Sequence, residues 1–135
     1  MALVTWDNKY AVGVKSLDGQ HQVLFDILNE LHGAMMKGQA QSVAGSLLRK
    51  LADYARTHFA AEESMMSAAR YPGLAGHRIK HQDLTKQVQD YVARYERGEV
   101  SLSLQLLSFL RDWLTHHILE TDREYGPWLS RNVVR

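Results

Sequence analysis

The sequence predicts an all-α protein: an up-down-up-down antiparallel four-helix bundle with an N-terminal arm. Three observations carry that expectation. Four stretches place apolar residues at spacings of three and four, the signature of a helix with one buried face. No stretch alternates apolar and polar residues as a half-buried strand does. The breaks between the four stretches are short and marked by Gly or Pro, so successive helices run antiparallel. A chain of 135 residues, 45% hydrophobic and 23% charged, suits one domain with one core.

Residues 1–16 have no helical period and read as an arm packed on the bundle, with Trp6, Tyr10, Val12 and Val14 as its apolar contacts. Residues 17–135 form the bundle. Ser16 is placed to cap the first helix, with Asp18 in a first turn that favours negative charge. The first seam is Leu17, His21, Leu24, Leu28, Leu31 and Met35, and Gly38 ends it. A second helix from about Gln41 to Ala68 carries Leu47, Leu51, Ala55, His58, Glu62 and Met65. Tyr71-Pro72-Gly73 is a turn. The third helix, about Leu74 to Glu96, carries Leu74, His77, His81, Leu84, Val88, Tyr91 and Tyr95. Gly98 breaks the chain, and Ser101 is a candidate cap for the fourth helix. That helix carries Leu102, Leu106, Phe109, Leu110, Trp113 and His117. Pro127 removes a backbone donor and is expected to end or kink it, leaving Trp128 and Leu129 as a packed tail.

Metal-ligand residue types fall on these seams. His58 and Glu62, and again His77 and His81, stand four apart, so each pair projects from one helix face. Buried imidazoles and carboxylates are costly unless something binds them. On the fourth helix His117 and Asp122 are five apart, which on a regular helix turns Asp122 about 140° from His117 and lifts it about 7.5 Å. The apolar seam slips by one residue at the same place, and a local π-type bulge would absorb the slip. The inventory is then five histidines (His21, His58, His77, His81, His117) and two carboxylates (Glu62, Asp122). Seven ligands are too many for one tetrahedral ion. They fit two adjacent metals with bridging carboxylates. With no cysteine in the chain, imidazole-rich ligation suits iron among other first-row metals. His32 and His116 complete no pair and read as ordinary surface or supporting residues. Glu63 lies about 100° from Glu62 around the helix, with solvent as its expected surroundings.

An ordered set of residues resembles the hemerythrin family, in its single-domain bacterial form. The resemblance runs over nearly the whole chain. It includes the Trp6-bearing arm, Asp18-Gly19-Gln20-His21 followed by Leu24-Phe25, the His58/Glu62 and His77/His81 pairs, and Trp113-Leu114 ahead of His117 and Asp122. It implies a non-heme di-iron centre with an oxo or hydroxo bridge. His77, His81 and His117 would bind one iron, and His21 and His58 the other, which keeps an open position. Glu62 and Asp122 would bridge. Leu24, Phe59, Trp113 and Leu114 would surround the bound dioxygen. The histidines also need partners on their second ring nitrogens; Asp18, Gln20, Glu63 and Gln82 are nearby in sequence, and the sequence does not choose among them.

The function expected from this is reversible dioxygen binding for storage, transport or delivery, with an oxygen-consuming enzyme as a partner and the chain acting as a monomer. Rival readings are a di-iron oxidase or peroxidase, an oxygen or redox sensor working through a separate partner, and plain metal storage. The enzyme reading is disfavoured because ferritin-like di-iron sites use Glu-x-x-His, which occurs nowhere in this chain. A net charge of +1 with acids and bases interspersed gives no footprint for nucleic acid. No apolar run suits membrane insertion. The start has no secretory pattern and the chain no cysteine, so a cytoplasmic address is expected.

Overall fold

The computed structural model describes residues 3–38, 41–99 and 104–132. Its elements are α1 (Lys15–Met36), α2 (Gln41–Ala68), α3 (Leu74–Glu96), α4 (Leu104–His116), a π-helical segment (His117–Asp122) and α5 (Arg123–Asn132). The last three form one continuous helical run, the fourth member of an antiparallel four-helix bundle. Among the described residues there is no strand, and no helix is long and apolar enough to cross a membrane.

The seams are close to those expected, with instructive shifts. On α1 the buried face is Leu17, His21, Leu24, Phe25, Ile27, Leu28, Leu31 and Ala34. On α2 it is Leu48 and Met66, not Leu47 and Met65, that are fully buried. Counting from Leu48 through Leu51, Ala55, His58 and Glu62 to Met66 keeps an unbroken three-and-four rhythm, and the polar ligands fix its phase. On α4 Phe109 is exposed, and Leu107, Leu110 and Leu114 form the core face. On α3 only His77, His81 and Leu84 are buried, so that helix lies more on the outside than the other three. The proposed cap Ser101 and the seam residue Leu102 fall outside the described residues.

Helix ends show how local chemistry sets the connections. Val14, not Ser16, is the N-cap of α1, and no side chain caps it. Asp18 instead reaches back over the first turn and accepts the Val12 N–H at 2.8 Å. Gly38 takes φ +66°, a left-handed conformation open to glycine, just past the end of α1. The chain leaves α2 through Arg70, also left-handed, and the Tyr71 N–H closes back on the Met66 carbonyl at 2.9 Å.

The fourth run contains the expected π bulge. Residues His117–Asp122 are π-helical, and the Arg123 N–H donates to the Ile118 carbonyl five residues back. One extra residue is absorbed there, so His117 and Asp122 both face the core. Of the two outcomes expected at Pro127, an end or a kink, the helix does not end: α5 continues through it to Asn132. Trp128 and Leu129 do pack, within the helix, and the Trp128 indole N–H donates to the Ala69 carbonyl at 2.7 Å.

The arm lies against the bundle. Val4, Tyr10, Val12 and Val14 are buried. Asn29 of α1 clamps its beginning: its amide oxygen accepts from Leu3 N (2.9 Å) and Val4 N (3.0 Å), and its amide nitrogen donates to Val4 O (2.8 Å). Trp6 and Tyr10 meet Phe25 edge-on.

Candidate metal centre

All seven expected ligands converge inside the bundle, and all are buried. They come from all four helical runs: His21 from α1, His58 and Glu62 from α2, His77 and His81 from α3, His117 and Asp122 from the π segment. Their ligand atoms form two overlapping groups. One is Glu62, His77, His81, His117 and Asp122; the other is His21, His58, Glu62 and Asp122. The two carboxylates belong to both.

Atom by atom, each carboxylate straddles the two groups. Glu62 Oε1 lies 3.2 Å from His81 Nε2, while Oε2 lies 3.2 Å from His21 Nε2 and 3.4 Å from His58 Nε2. Asp122 Oδ1 lies 2.8 Å from His77 Nε2 and 2.9 Å from His117 Nε2, while Oδ2 lies 3.1 Å from His21 Nε2. Nε2 of His81 and Nε2 of His117 stand 3.1 Å apart. Two ring nitrogens that close need a proton or a cation between them.

The group is not completed by hydrogen bonds of its own. Glu62 Oε1, His77 Nε2 and both oxygens of Asp122 are buried without a hydrogen bond, although His77 and Asp122 are within 2.8 Å: close, but out of alignment. Buried polar atoms left this way each cost about 1–3 kcal/mol. Nitrogen and oxygen donors aimed at two common points, with orphaned acceptors between them, fit a pair of first-row metal ions such as iron.

Supporting contacts orient the rings. Gln20 Oε1 is 2.6 Å from His58 Nδ1, and Glu63 Oε2 is 2.9 Å from His81 Nδ1. Glu63 is therefore not simply solvated, as its position around the helix suggests; its other oxygen accepts from Arg78 Nε at 3.1 Å. Asp18 is committed to Val12, Gln82 is exposed, and His21 Nδ1 has no hydrogen-bond partner among the described residues. His116 is exposed and His32 half-buried, and neither joins either group.

Sequence reasoning missed Tyr125. It is fully buried, and its hydroxyl donates to Glu62 Oε2. Burial, with Glu62 and Asp122 close by, pushes its pKa well up, so it stays protonated and remains a donor. Its signal was its place three residues after Asp122 on the same seam.

Leu24, Phe59, Trp113 and Leu114 line one apolar cavity of about 50 Å³ between the helices. Phe59 also stacks flat on His81 (3.9 Å between centroids) and Trp113 on His117 (4.4 Å), so both rings touch the ligand cluster.

The metal-free charges follow from the same geometry. Burial opposes protonation of His21, but Asp122 and Glu62 outweigh it and push its pKa up to about 10. Burial likewise resists the carboxylate charge on Glu62 and Asp122, yet the imidazoles hold both below the usual range. Burial lowers the pKa of His117. The elevated value of His21 contributes stability that is complete below its ordinary 6.5 and is lost as pH rises through about 10. The depressed carboxylates contribute stability present above their ordinary values and lost as pH falls. The metal-free chain is therefore expected to be most heat-resistant at about pH 5–6, with a midpoint that declines toward pH 10. Circular dichroism melts across that range check it, and a midpoint flat from pH 6 to 10 would count against the charge assignment.

Comparison with known proteins shows the family to which this chain is similar. A family model described as "Hemerythrin HHE cation binding domain" matches residues 12–129. The chain is 35% identical to the bacteriohemerythrin of Methylococcus capsulatus, over 96% of this chain and 99% of that one. It is 36% identical to the bacteriohemerythrin of Stenotrophomonas maltophilia, over 100% and 98%. Myohemerythrin-1 of Phascolopsis gouldii is 32% identical over 89% of each chain. A crystal structure of wild-type hemerythrin superposes with a TM-score of 0.92 at 35% identity, covering 96% of this chain and 99% of that chain.

Proposed function

The chain belongs to the hemerythrin family, and from that premise we propose that it binds dioxygen reversibly at a non-heme di-iron centre, for storage, transport or delivery. The observation that carries this reading is the pair of overlapping, fully buried ligand groups that share Glu62 and Asp122. His77, His81 and His117 would hold one iron, His21 and His58 the other, and the two carboxylates both. When bound, the ferrous pair supplies the electrons that hold dioxygen and recovers them on release.

The protein's own residues do the rest. Gln20 and Glu63 fix the rings of His58 and His81. The Tyr125 hydroxyl holds one oxygen of Glu62. Leu24, Phe59, Trp113 and Leu114 supply an apolar wall that disfavours water, although Arg56, Thr85 and Gln89 also line the cavity. A dry pocket keeps protons and anions from drawing oxygen off as a reduced species. Leu114→Ala is accordingly expected to speed decay of the oxygenated form several-fold, followed as loss of its visible band in air. A decay rate equal to that of the unaltered protein would remove Leu114 from the lining role.

We read the protein as a carrier, not an enzyme, acting as a cytoplasmic monomer that passes oxygen to an oxygen-consuming enzyme. What supports the carrier reading is a site with five imidazoles and only two carboxylates, poor in the anionic ligands that stabilise high-valent iron. The test is direct. The iron-loaded protein is reduced without air, then exposed to it; a visible charge-transfer band that forms and then fades under vacuum is the expected result. A band that never forms, or that appears once while an added substrate is consumed, would move the reading to a redox enzyme.

A further inference from the structure

We propose that Gly126 is a positioning residue for the metal centre: it lets the N-terminal arm close onto α5, and that contact seats the Tyr125 hydroxyl on Glu62. The inference rests on the di-iron reading above and goes beyond it, because neither Gly126 nor the arm supplies a ligand or lines the pocket.

The first observation is steric. A Cβ added to Gly126 would stand 2.0 Å from the Val12 carbonyl oxygen and 3.1 Å from its carbonyl carbon. The obstacle is main chain, so no side-chain rotation relieves it. Either the arm must lift or α5 must turn.

The second is that the arm is held where it is. Val12 and Val14 are buried, and the Val12 N–H is tied to Asp18 Oδ1 at 2.8 Å. Tyr10 packs edge-on against Phe25, with ring centroids 5.1 Å apart. Further out, Asn29 grips Leu3 and Val4. With the arm fixed at four points, its carbonyl at Val12 acts as a stop for α5.

The third is what lies one peptide away. Tyr125 is 0% exposed, its ring is 5.5 Å from that of His77, and its hydroxyl donates to Glu62 Oε2. That oxygen faces His21 and His58, the two-histidine side of the centre. Hydrogen bonds weaken steeply as distance and angle depart from ideal. A shift of α5 that carried an added Cβ from 2.0 Å out to ordinary contact distance would pull the hydroxyl from Glu62. Arm, Gly126, Tyr125 and Glu62 thus form one mechanical series ending on a shared ligand.

The experiment loads the full chain, Tyr125→Phe, Gly126→Ala and the double variant with iron. It measures the rate of iron release to a ferrous chelator and the visible spectrum of the oxidised centre. Each single variant is expected to release iron roughly tenfold faster, the loss typical of removing a partner that orients a ligand. Both should shift the spectrum in the same direction, and the double variant should match the larger single effect, because both act through one contact. If Gly126→Ala does not fold, Val12→Gly, which loosens the arm and leaves the glycine in place, carries the same expectation in smaller measure. The inference is overturned if Tyr125→Phe releases iron at the unaltered rate. It is also overturned if Gly126→Ala, or Val12→Gly in its stead, only lowers the melting temperature, or if the two effects multiply. Failure of the unaltered chain to load two irons would instead sink the di-iron reading, and this inference with it.

Discussion

Glu62→Ala is expected to leave the chain unable to hold two irons. Glu62 gives one oxygen to each side of the centre, Oε1 toward His81 and Oε2 toward His21 and His58. Without it, the two-histidine group keeps only His21, His58 and one oxygen of Asp122. The loss has two parts. The positive charge of two ions is then balanced by one buried carboxylate, where burial makes any uncompensated charge expensive. The Tyr125 hydroxyl also loses its acceptor inside the core, at a cost of about 1–3 kcal/mol. Iron measured per folded chain after anaerobic loading should fall from about two to one or fewer. Glu62→Gln separates the causes: it keeps an acceptor for Tyr125 and removes the charge. Retention of two irons by Glu62→Ala would show that Asp122 alone bridges, and would undo the reading of Glu62 as a shared ligand.

Phe25→Ala is expected to produce the largest loss of stability among changes away from the ligands. Phe25 is 2% exposed and sits at the meeting of arm and bundle. Trp6 and Tyr10 meet it edge-on, at 5.5 and 5.1 Å between centroids. Truncating a buried Phe costs about 3–5 kcal/mol through lost burial and the cavity left behind. Against a total stability of about 5–15 kcal/mol, that is a large share. Urea unfolding of the metal-free chain measures it. Amide exchange should speed first in the arm, from Leu3 to Tyr10, because the aromatic clasp is what the substitution removes. A loss under about 1 kcal/mol would mean that the arm is held by Asn29 and the Val12–Asp18 contact alone.

Much of this was legible in the sequence, and the reasons are physical. The four seams could be read because a helix buries one face, and the ligands could be read because they interrupt those seams with groups that burial should forbid. His117 and Asp122 announced the π bulge by a spacing that no straight helix reconciles with a common target. What the sequence hid depends on phase and on long-range contact. Leu47 and Leu48 are adjacent leucines, as Met65 and Met66 are adjacent methionines; only packing decides which goes inside. Pro127 carries a strong local signal to stop a helix, but α5 runs through it to Asn132. Glu63 looked solvated because angle around a helix says nothing of what the neighbouring helix brings, here Arg78 and His81. The closeness of Gly126 to Val12 joins residues more than a hundred apart in the chain, and no local pattern reports it.

The π winding from His117 to Asp122 amounts to one surplus residue in an otherwise ordinary helix. Without it, the apolar face would run evenly from Leu107 to Leu129. The chain thus spends its least favoured winding on bringing His117 and Asp122 to a common target.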